Sequence, residues 1–171
     1  LAKEWLEKHP QDHDETLKGY RLAAEQGVSA AQFSLGKMYD SGRGVPQDYA
    51  EAVKWYRLAA GQGYASAQFN LGFMYYEGEG VPQDYAEAVR LYRLAAEQGH
   101  ADAQFNLGVS YVKGQGVPLD YVLAYMWWNL AAAQGDERAK EYRDSIAKQL
   151  SPDQLAEAQR MAREWKPRGG Q

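Results

Sequence analysis

The sequence has 171 residues, with 19 Lys and Arg against 23 Asp and Glu, and its formal net charge at pH 7 is −4. This length suits one domain, and the lack of a basic excess argues against binding to nucleic acid or to an anionic membrane. There is no cysteine, which excludes disulfides and thiolate metal sites. No apolar run approaches the roughly 18 residues of a membrane span, so we predict no membrane insertion.

A period of 36 residues organises the chain. The pair Leu-Gly recurs at this spacing, at Leu35-Gly36, Leu71-Gly72 and Leu107-Gly108. A Gly-Val-Pro segment recurs in the same way, beginning at Gly44, Gly80 and Gly116. Each unit closes on a glycine, at Gly27, Gly63, Gly99 and Gly135. A fixed period of this length predicts a solenoid, in which each repeat packs on its neighbours.

The first half of each repeat is predicted to be a helix, called helix A. Between residues 29 and 41, Ala31, Leu35 and Tyr39 recur at four-residue steps and therefore share one helical face. Gly36 lies between these core positions, where the missing side chain allows a neighbouring helix to approach closely.

The second half of each repeat is predicted to be a second helix, called helix B. The segment 42–46 supplies the turn before it, because its glycines can adopt positive φ and its proline cannot continue a helix. Asp48 is expected to cap the start of helix B, and Gly63 follows its end. The apolar positions of helix B recur at helical spacing, at Tyr49, Ala52, Val53, Tyr56, Ala59 and Ala60.

The whole chain is therefore divided as one repeat domain. Its predicted parts are an N-terminal half-repeat at 1–28, repeats at 29–64, 65–100 and 101–135, C-terminal cap helices at 136–166 and a tail at 167–171. Trp5 is expected to pack on the helix that follows it, and the tail is expected to fray. The segment 151–154 has the pattern of a helix start, with a proline at the first helical position. The first cap helix is expected to place Ala139, Tyr142, Ile146 and Leu150 on one apolar side.

These repeated residues resemble the Sel1-like repeat family, whose units carry Ala, Leu-Gly, Tyr, Gly-x-Gly-Val, Asp and Ala-Ala before a closing glycine. The resemblance covers residues 10–135. It implies an all-α fold, a right-handed α/α superhelical solenoid of antiparallel helix pairs with a C-terminal capping helix, related to tetratricopeptide repeats. It also implies that the A helices line the concave side and that the protein is an adaptor. Some relatives tie each helix pair with cysteines, whereas this chain has none and must rely on packing.

Comparing the repeats with one another indicates a binding surface, because packing does not dictate the positions that change between similar units. Segments 29–64 and 65–100 are identical at 25 of 36 positions, and most differences within helix A fall along one helical side. We predict that this side, with the phenylalanines that border it, binds a partner. The predicted residues, called the variable stripe, are Phe33, Lys37, Asp40, Phe69, Asn70, Phe73, Tyr76, Glu77, Phe105, Asn106, Val109, Val112 and Lys113.

The variable stripe has the composition of a peptide groove, with apolar side chains flanked by amides and charges. Asn70 and Asn106 resemble in position the asparagines that related tetratricopeptide clamps use on a peptide backbone or carboxylate. A full carboxylate clamp requires more converging basic residues than Lys37 and Lys113 supply, so we do not predict that subtype.

An alternative interpretation assigns the aromatic residues of the stripe to packing. Phe33, Phe69 and Phe105 would then be half-buried between neighbouring A helices. Phe73 and Tyr76 would likewise belong to the core.

The sequence contains no constellation that points to catalysis, to a metal or to a cofactor. Its three histidines, His9, His13 and His100, have no cysteine partners, and Pro10 breaks the helix that would join the first two. Acidic pairs recur at the starts of the B helices, where helix capping explains them. We therefore predict a non-enzymatic adaptor that binds a protein or peptide and needs no cofactor.

Two other functions stay open at this point. One is a cell-wall glycan-binding or hydrolytic protein, as proposed for some relatives, and the other is an array that self-associates end to end through its N-terminal half-repeat. We expect a monomer. Because the chain begins at Leu1, we expect that a leader was removed, which favours the bacterial periplasm or secretion, with the cytoplasm as the alternative.

Overall fold

The computed structural model describes residues 10–169, and within that range the chain forms nine helices and no strand. In chain order the helices are α1 Pro10–Glu25, α2 Ser29–Ser41, α3 Tyr49–Gly61, α4 Ala65–Glu77, α5 Tyr85–Glu97, α6 Ala101–Lys113, α7 Tyr121–Ala133, α8 Glu137–Ala147 and α9 Pro152–Glu164. The all-α prediction is confirmed. The predicted packing of Trp5 lies outside the described residues.

The helices pack in chain order, which makes the array a solenoid. The A and B helices of the three repeats pair as α2 with α3, α4 with α5, and α6 with α7. Between these units, α1 packs on α2, α3 on α4, α5 on α6 and α7 on α8, while α9 returns to pack on α7. The predicted α/α solenoid with repeats of about 36 residues is thus confirmed. From residue 10 to residue 169, no helix combines the length and apolar character needed to cross a bilayer.

Within each repeat, the glycine of helix A lies under an aromatic ring of helix B. A Cβ atom added to Gly72 would meet Cδ1 of Tyr92 at 2.9 Å. Such a distance is too short for carbon atoms, so only glycine allows this approach of the two helices. The same contact recurs in the other repeats, between Gly36 and Tyr56 and between Gly108 and Trp128.

The turn between helix A and helix B requires glycine for two reasons. Gly78 (φ 78°) and Gly80 (φ 69°) both adopt the left-handed backbone conformation that glycine favours. Gly80 also touches the preceding repeat, because a Cβ atom there would stand 2.5 Å from the carbonyl oxygen of Tyr49. Asp84 then caps α5 as predicted, its Oδ1 accepting a hydrogen bond from the backbone N–H of Glu87 at 3.0 Å.

Sequence reasoning missed two ladders of hydrogen bonds, of which the first joins helix A to the end of helix B within each repeat and the second joins successive units. In the first, Gln98 Nε2 donates to Oε1 of the buried Gln68 at 2.8 Å. In the second, Arg93 Nη2 donates to the hydroxyl of Tyr111 at 2.8 Å. Both bonds recur along the array, in the pairs Gln62–Gln32, Gln134–Gln104, Arg21–Tyr39 and Arg57–Tyr75. Recurrence of both partners at the repeat period is the sequence signal that would reveal them.

The B helices bury a wider face than the periodicity predicts. Trp55, Leu91 and Trp127, which occupy equivalent positions in the three repeats, are all buried. The apolar positions predicted for helix B do not include them, because the prediction assumed a single apolar face, as in a helix with one neighbour. A helix inside a solenoid packs both on its own repeat and on the adjacent ones.

The C-terminal end is closed by α8 and α9. The predicted start of α9 is a capping box, in which Ser151 N donates to Gln154 Oε1 at 2.9 Å and Gln154 N donates to Ser151 Oγ at 3.2 Å. Trp165 follows α9 and lies edge-on to Trp127, with their ring centroids 6.4 Å apart. These contacts cover the last repeat.

Two details of this end differ from the predictions. Tyr142 shares the predicted apolar side of α8 with the buried Ala139 and Ile146, yet it is 49% exposed, because its ring faces a groove described below. The tail does not fray at residue 167. The backbone N–H of Arg168 donates to the carbonyl oxygen of Glu97 at 2.7 Å, and its guanidinium lies 3.0 Å from the Glu97 carboxylate.

Candidate partner-binding surface

The structure brings six residues of the variable stripe to one groove, called the central groove. This groove has a volume of about 280 Å³ and is formed by side chains of α4, α5, α6 and α8. Phe73 is 43% exposed, so a large apolar ring faces solvent here. The lining consists of the stripe residues Phe73, Tyr76, Phe105, Asn106, Val109 and Lys113, together with Tyr92 and Tyr142.

Tyr76 joins the second repeat to the third along one wall of the central groove. Its hydroxyl donates to Gln115 Oε1 at 2.9 Å and accepts a hydrogen bond from Lys113 Nζ at 3.1 Å. Its ring lies edge-on to Tyr85, with 5.1 Å between the ring centroids. These contacts hold the ring of Tyr76 in place and keep the ammonium group of Lys113 at the groove.

Aromatic side chains of the third repeat and α8 form another wall. The ring centroid of Phe105 lies 5.4 Å from that of Tyr142 and 6.4 Å from that of Trp128. The guanidinium of Arg138 lies 4.5 Å from the centroid of Phe105, in the range of a cation–π contact. Asp102 holds this guanidinium by an ion pair of 2.6 Å. This wall therefore consists of aromatic rings with one guanidinium against Phe105.

Sequence reasoning missed two lining residues, Tyr92 and Tyr142. The periodicity places Tyr92 in the core of helix B, and its side chain is indeed 1% exposed, but it also lines the groove. The sequence does contain a signal that could have identified Tyr92. Tyr92 is equivalent to Tyr56, and the helix A position beside this tyrosine holds Asp40 in the first repeat and Tyr76 in the second. No such signal exists for Tyr142, because its segment lacks the repeated motifs.

Two further stripe residues, Asp40 and Asn70, lie in a hydrogen-bond network around Tyr56 and do not line the central groove. The buried hydroxyl of Tyr56 donates to Asp40 Oδ2 at 3.0 Å and accepts from Asn70 Nδ2 at 3.0 Å. Burial raises the pKa of Tyr56; the bond from Asn70 opposes this effect and the charge of Asp40 adds to it. The hydroxyl therefore stays protonated, with both a donor and an acceptor satisfied.

Three stripe residues lie elsewhere. Lys37 lines a separate N-terminal groove of about 440 Å³, together with Tyr20 and Arg43. Glu77 is exposed at the end of α4. Val112 is half-buried against the core of the third repeat.

The phenylalanines that border the stripe are half-buried and pack on aromatic neighbours. Phe33 lies 5.8 Å from Tyr56, measured between ring centroids, and Phe69 stacks on His100 at 5.0 Å. Phe105 packs in the same way in the third repeat, although it also lines the central groove. These contacts favour the packing interpretation for the three residues.

His100 serves as a neutral hydrogen-bond acceptor. Its Nδ1 accepts from the backbone N–H of Ala103 at 3.3 Å, which caps α6. Burial lowers the pKa of His100, and the charge of Asp102 partly opposes this shift. Over the described residues, no group of three or more His, Cys, Asp or Glu side chains is placed to hold a metal ion.

The chain is similar to proteins of known structure. A family model described as Sel1 repeat matches residues 9–28, 29–64, 65–100 and 101–136. A Sel1 repeat protein from Oxalobacter formigenes is 42% identical, with a TM-score of 0.70, and the match covers 76% of this chain and 98% of that one. The protective antigen c5321 of uropathogenic Escherichia coli, described as displaying an SLR fold, is 32% identical with a TM-score of 0.68. That match covers 87% of this chain but 40% of the antigen. Among curated protein sequences, none matches this chain.

Proposed function

This chain belongs to the Sel1 repeat family, and we propose on that basis that it is an adaptor that binds an extended segment of a partner protein in the central groove. Sel1 repeat proteins are generally non-catalytic scaffolds for protein interactions. The proposed adaptor accordingly binds its partner and performs no chemistry on it.

The observation that carries this proposal is the convergence of the variable stripe on the central groove. Residues from two different repeats, Phe73 and Tyr76 of α4 with Asn106, Val109 and Lys113 of α6, line one depression. Packing inside a repeat does not require these side chains to meet there. Their meeting therefore supports a role in binding.

The composition of the groove suits a peptide segment. Phe73 and Val109 offer apolar surface, whose burial contributes roughly 25 cal/mol per Å². The amide of Asn106 can donate to and accept from a peptide backbone, and the ammonium of Lys113 adds a positive charge. Aromatic and apolar centres with a polar border are typical of protein interfaces.

The test is partner capture with purified chain from extracts of cells of the source organism. Three proteins are compared: the wild type, the double variant Phe73→Ala/Tyr76→Ala, and the control variant Leu94→Ala. Leu94 is an exposed apolar residue of α5 that lines a different depression. The control therefore removes the same kind of surface outside the central groove.

We expect at least one protein to be retained by the wild type and by Leu94→Ala and lost from the double variant. Thermal unfolding of each variant confirms that the helices are intact. Retention of the same proteins by all three would contradict the proposal. A double variant that loses as much stability as a core substitution would instead place Phe73 and Tyr76 in the core.

A further inference from the structure

One buried hydroxyl in the central groove has no partner. The hydroxyl of Tyr92 is fully buried and forms no hydrogen bond with any group in residues 10–169. Burial raises the pKa of Tyr92 and the nearby amide of Asn106 opposes this effect as a hydrogen-bond donor does, although the two side chains do not reach the distance and angle of an ordinary hydrogen bond. A buried polar atom without a partner costs roughly 1–3 kcal/mol, so its presence calls for an explanation.

The first repeat shows what is missing in the second. Tyr56, the equivalent of Tyr92, donates to the carboxylate of Asp40 at 3.0 Å. Tyr76 occupies the position of Asp40 in the second repeat, and its hydroxyl is directed to Gln115 of the third. The second repeat therefore lacks the internal carboxylate, and Tyr92, a residue that lines the groove, has a buried hydroxyl without an acceptor among the described residues.

In the third repeat, the buried polar atom at the equivalent position has a hydrogen-bond partner. There Trp128 replaces the tyrosine, and its Nε1 donates to the carbonyl oxygen of Phe105 at 3.0 Å. Trp55 Nε1 is the other unpartnered buried side-chain atom in the described part of the chain, but it lies in a core cluster with Ala24 and Leu35. Among the three repeats, the unpartnered tyrosine hydroxyl at a groove is a property of the second.

We propose that the central groove binds an acidic side chain of the partner segment, with the carboxylate accepting a hydrogen bond from the Tyr92 hydroxyl as Asp40 accepts one from Tyr56. Asn106 supplies a second donor, and Lys113 supplies the opposite charge. Phe73 and Val109 then contact apolar residues next to the acid. This inference rests on the proposed function and names the chemistry of the segment.

An acidic side chain fits better than a terminal carboxylate. In the first repeat, the group that accepts from the tyrosine is a side-chain carboxylate, that of Asp40. This hydrogen bond does not require several basic side chains around the carboxylate, as a clamp for a chain terminus does. Among the described residues that line the central groove, Lys113 is the basic one, and the negative charge of Glu77, which lies near enough to act on Tyr92, opposes the binding of several acidic groups. One carboxylate that accepts a hydrogen bond from the neutral Tyr92 hydroxyl is therefore compatible with the charges of Lys113 and Glu77.

The test is a titration of the isotope-labelled 171-residue chain, followed by the NMR signals of the Asn106 amide and the Lys113 backbone. The probes are three pentapeptides with leucine pairs around a central residue. One is capped at both ends with a central aspartate, one is capped with a central asparagine, and one has the asparagine with a free C-terminal carboxylate.

We expect the aspartate peptide to bind about 10-fold more tightly than the capped asparagine peptide, the typical effect of one charge-assisted hydrogen bond. Tyr92→Phe removes a hydroxyl that has no internal partner, so the protein stays folded and the preference for aspartate is lost. Tyr56→Phe, the matched control, retains the preference. Tyr76→Asp abolishes it, because the introduced carboxylate accepts from Tyr92 as Asp40 does from Tyr56.

Several results would overturn the inference. Equal binding of the aspartate and asparagine peptides at the groove would show that no carboxylate is selected, while the proposed binding surface would stand. Tighter binding of the free C-terminal peptide would assign the site to a chain end. No change in the groove signals with any peptide would also overturn it, and the partner-capture experiment would then decide the proposed function independently.

Discussion

The first and second repeats are identical at 25 of 36 positions, yet the same tyrosine has different surroundings in each. Both repeats share the glycine under the tyrosine ring, the aspartate cap and the glutamine bond. The hydroxyl of Tyr56 has two partners in the chain, whereas that of Tyr92 has none within residues 10–169. The loss of the carboxylate partner follows from one helix A position, which carries Asp40 in one repeat and Tyr76 in the other, whereas the equivalent of the Asn70 donor is present as Asn106.

In an array of similar units, one varied position can change the surroundings of a residue that the units share. The solenoid requires the ring of the tyrosine, because that ring packs against the glycine of helix A. The hydroxyl is not fully determined by packing, and its role depends on a neighbour that is free to vary. An identical residue can therefore have its hydroxyl satisfied inside one repeat and left without a bond among the described residues in the next.

The largest expected effect concerns the shared interior. Leu35 and Leu71 are equivalent and are 0% and 3% exposed. We expect Leu35→Ala and Leu71→Ala each to lower the free energy of unfolding by about 2–5 kcal/mol through cavity formation. Urea unfolding followed by circular dichroism measures both. A cost below about 1 kcal/mol for one of them would mean that the two repeats do not share one packing scheme.

The next effect concerns the turn of the second repeat. Gly78→Ala should cost about 1–2 kcal/mol, because alanine disfavours positive φ. Gly80→Ala should cost more, since its Cβ atom would also meet the backbone of Tyr49 in the preceding repeat. Thermal unfolding of the two variants separates backbone conformation from the contact between repeats. Equal losses of stability would show that the backbone of Tyr49 moves away at little cost.

A smaller effect tests the two tyrosines directly. Tyr56→Phe removes a hydroxyl with a donor and an acceptor, so we expect a loss of about 0.5–1.5 kcal/mol in the free energy of unfolding. Tyr92→Phe removes a buried hydroxyl without a partner, so stability should be unchanged or higher. If both variants lose the same stability, the Tyr92 hydroxyl has an internal partner in solution, and the contrast between the repeats disappears.

The smallest effect is a dependence on pH. Phe33 packs on Tyr64 and Phe69 on His100 at equivalent positions. Burial lowers the pKa of His100 below its ordinary value of 6.5, so the unfolded state binds the proton more readily than the folded state. Stability is therefore unaffected by this residue above about pH 6.5 and falls as the pH drops below that value.

Paired variants isolate this dependence. His100→Tyr, which copies the first repeat, should reduce the loss of stability between about pH 6.5 and pH 5, and Tyr64→His should increase it. Urea unfolding at a series of pH values measures both slopes. A wild-type slope that is unchanged in His100→Tyr would show that the imidazole is already accessible to protons in the folded protein.

Much of the fold could be predicted because the chain contains several copies of the same repeat, which can be compared with one another. The helix A of the first repeat begins and ends at the predicted residues 29 and 41, and Asp48 caps helix B as predicted. The comparison of repeats also identified most residues of the central groove, though their role in binding stays a prediction. Met74 and Ser110, which occupy equivalent helix A positions and also differ between the second and third repeats, are buried. Variation there reflects packing and not exposure.

The period, the helix pairs, the turns and the caps of this protein follow from the sequence, because each depends on neighbours within one repeat. Helical spacing, positive φ at glycine and side-chain capping are local requirements. Contacts between side chains of different repeats depend on the tertiary structure. Tyr142 reaches the groove from α8, Tyr76 bonds to Gln115, and the Tyr92 hydroxyl has no hydrogen bond among the described residues. Such meetings depend on side-chain direction across distant helices, which no local rule specifies.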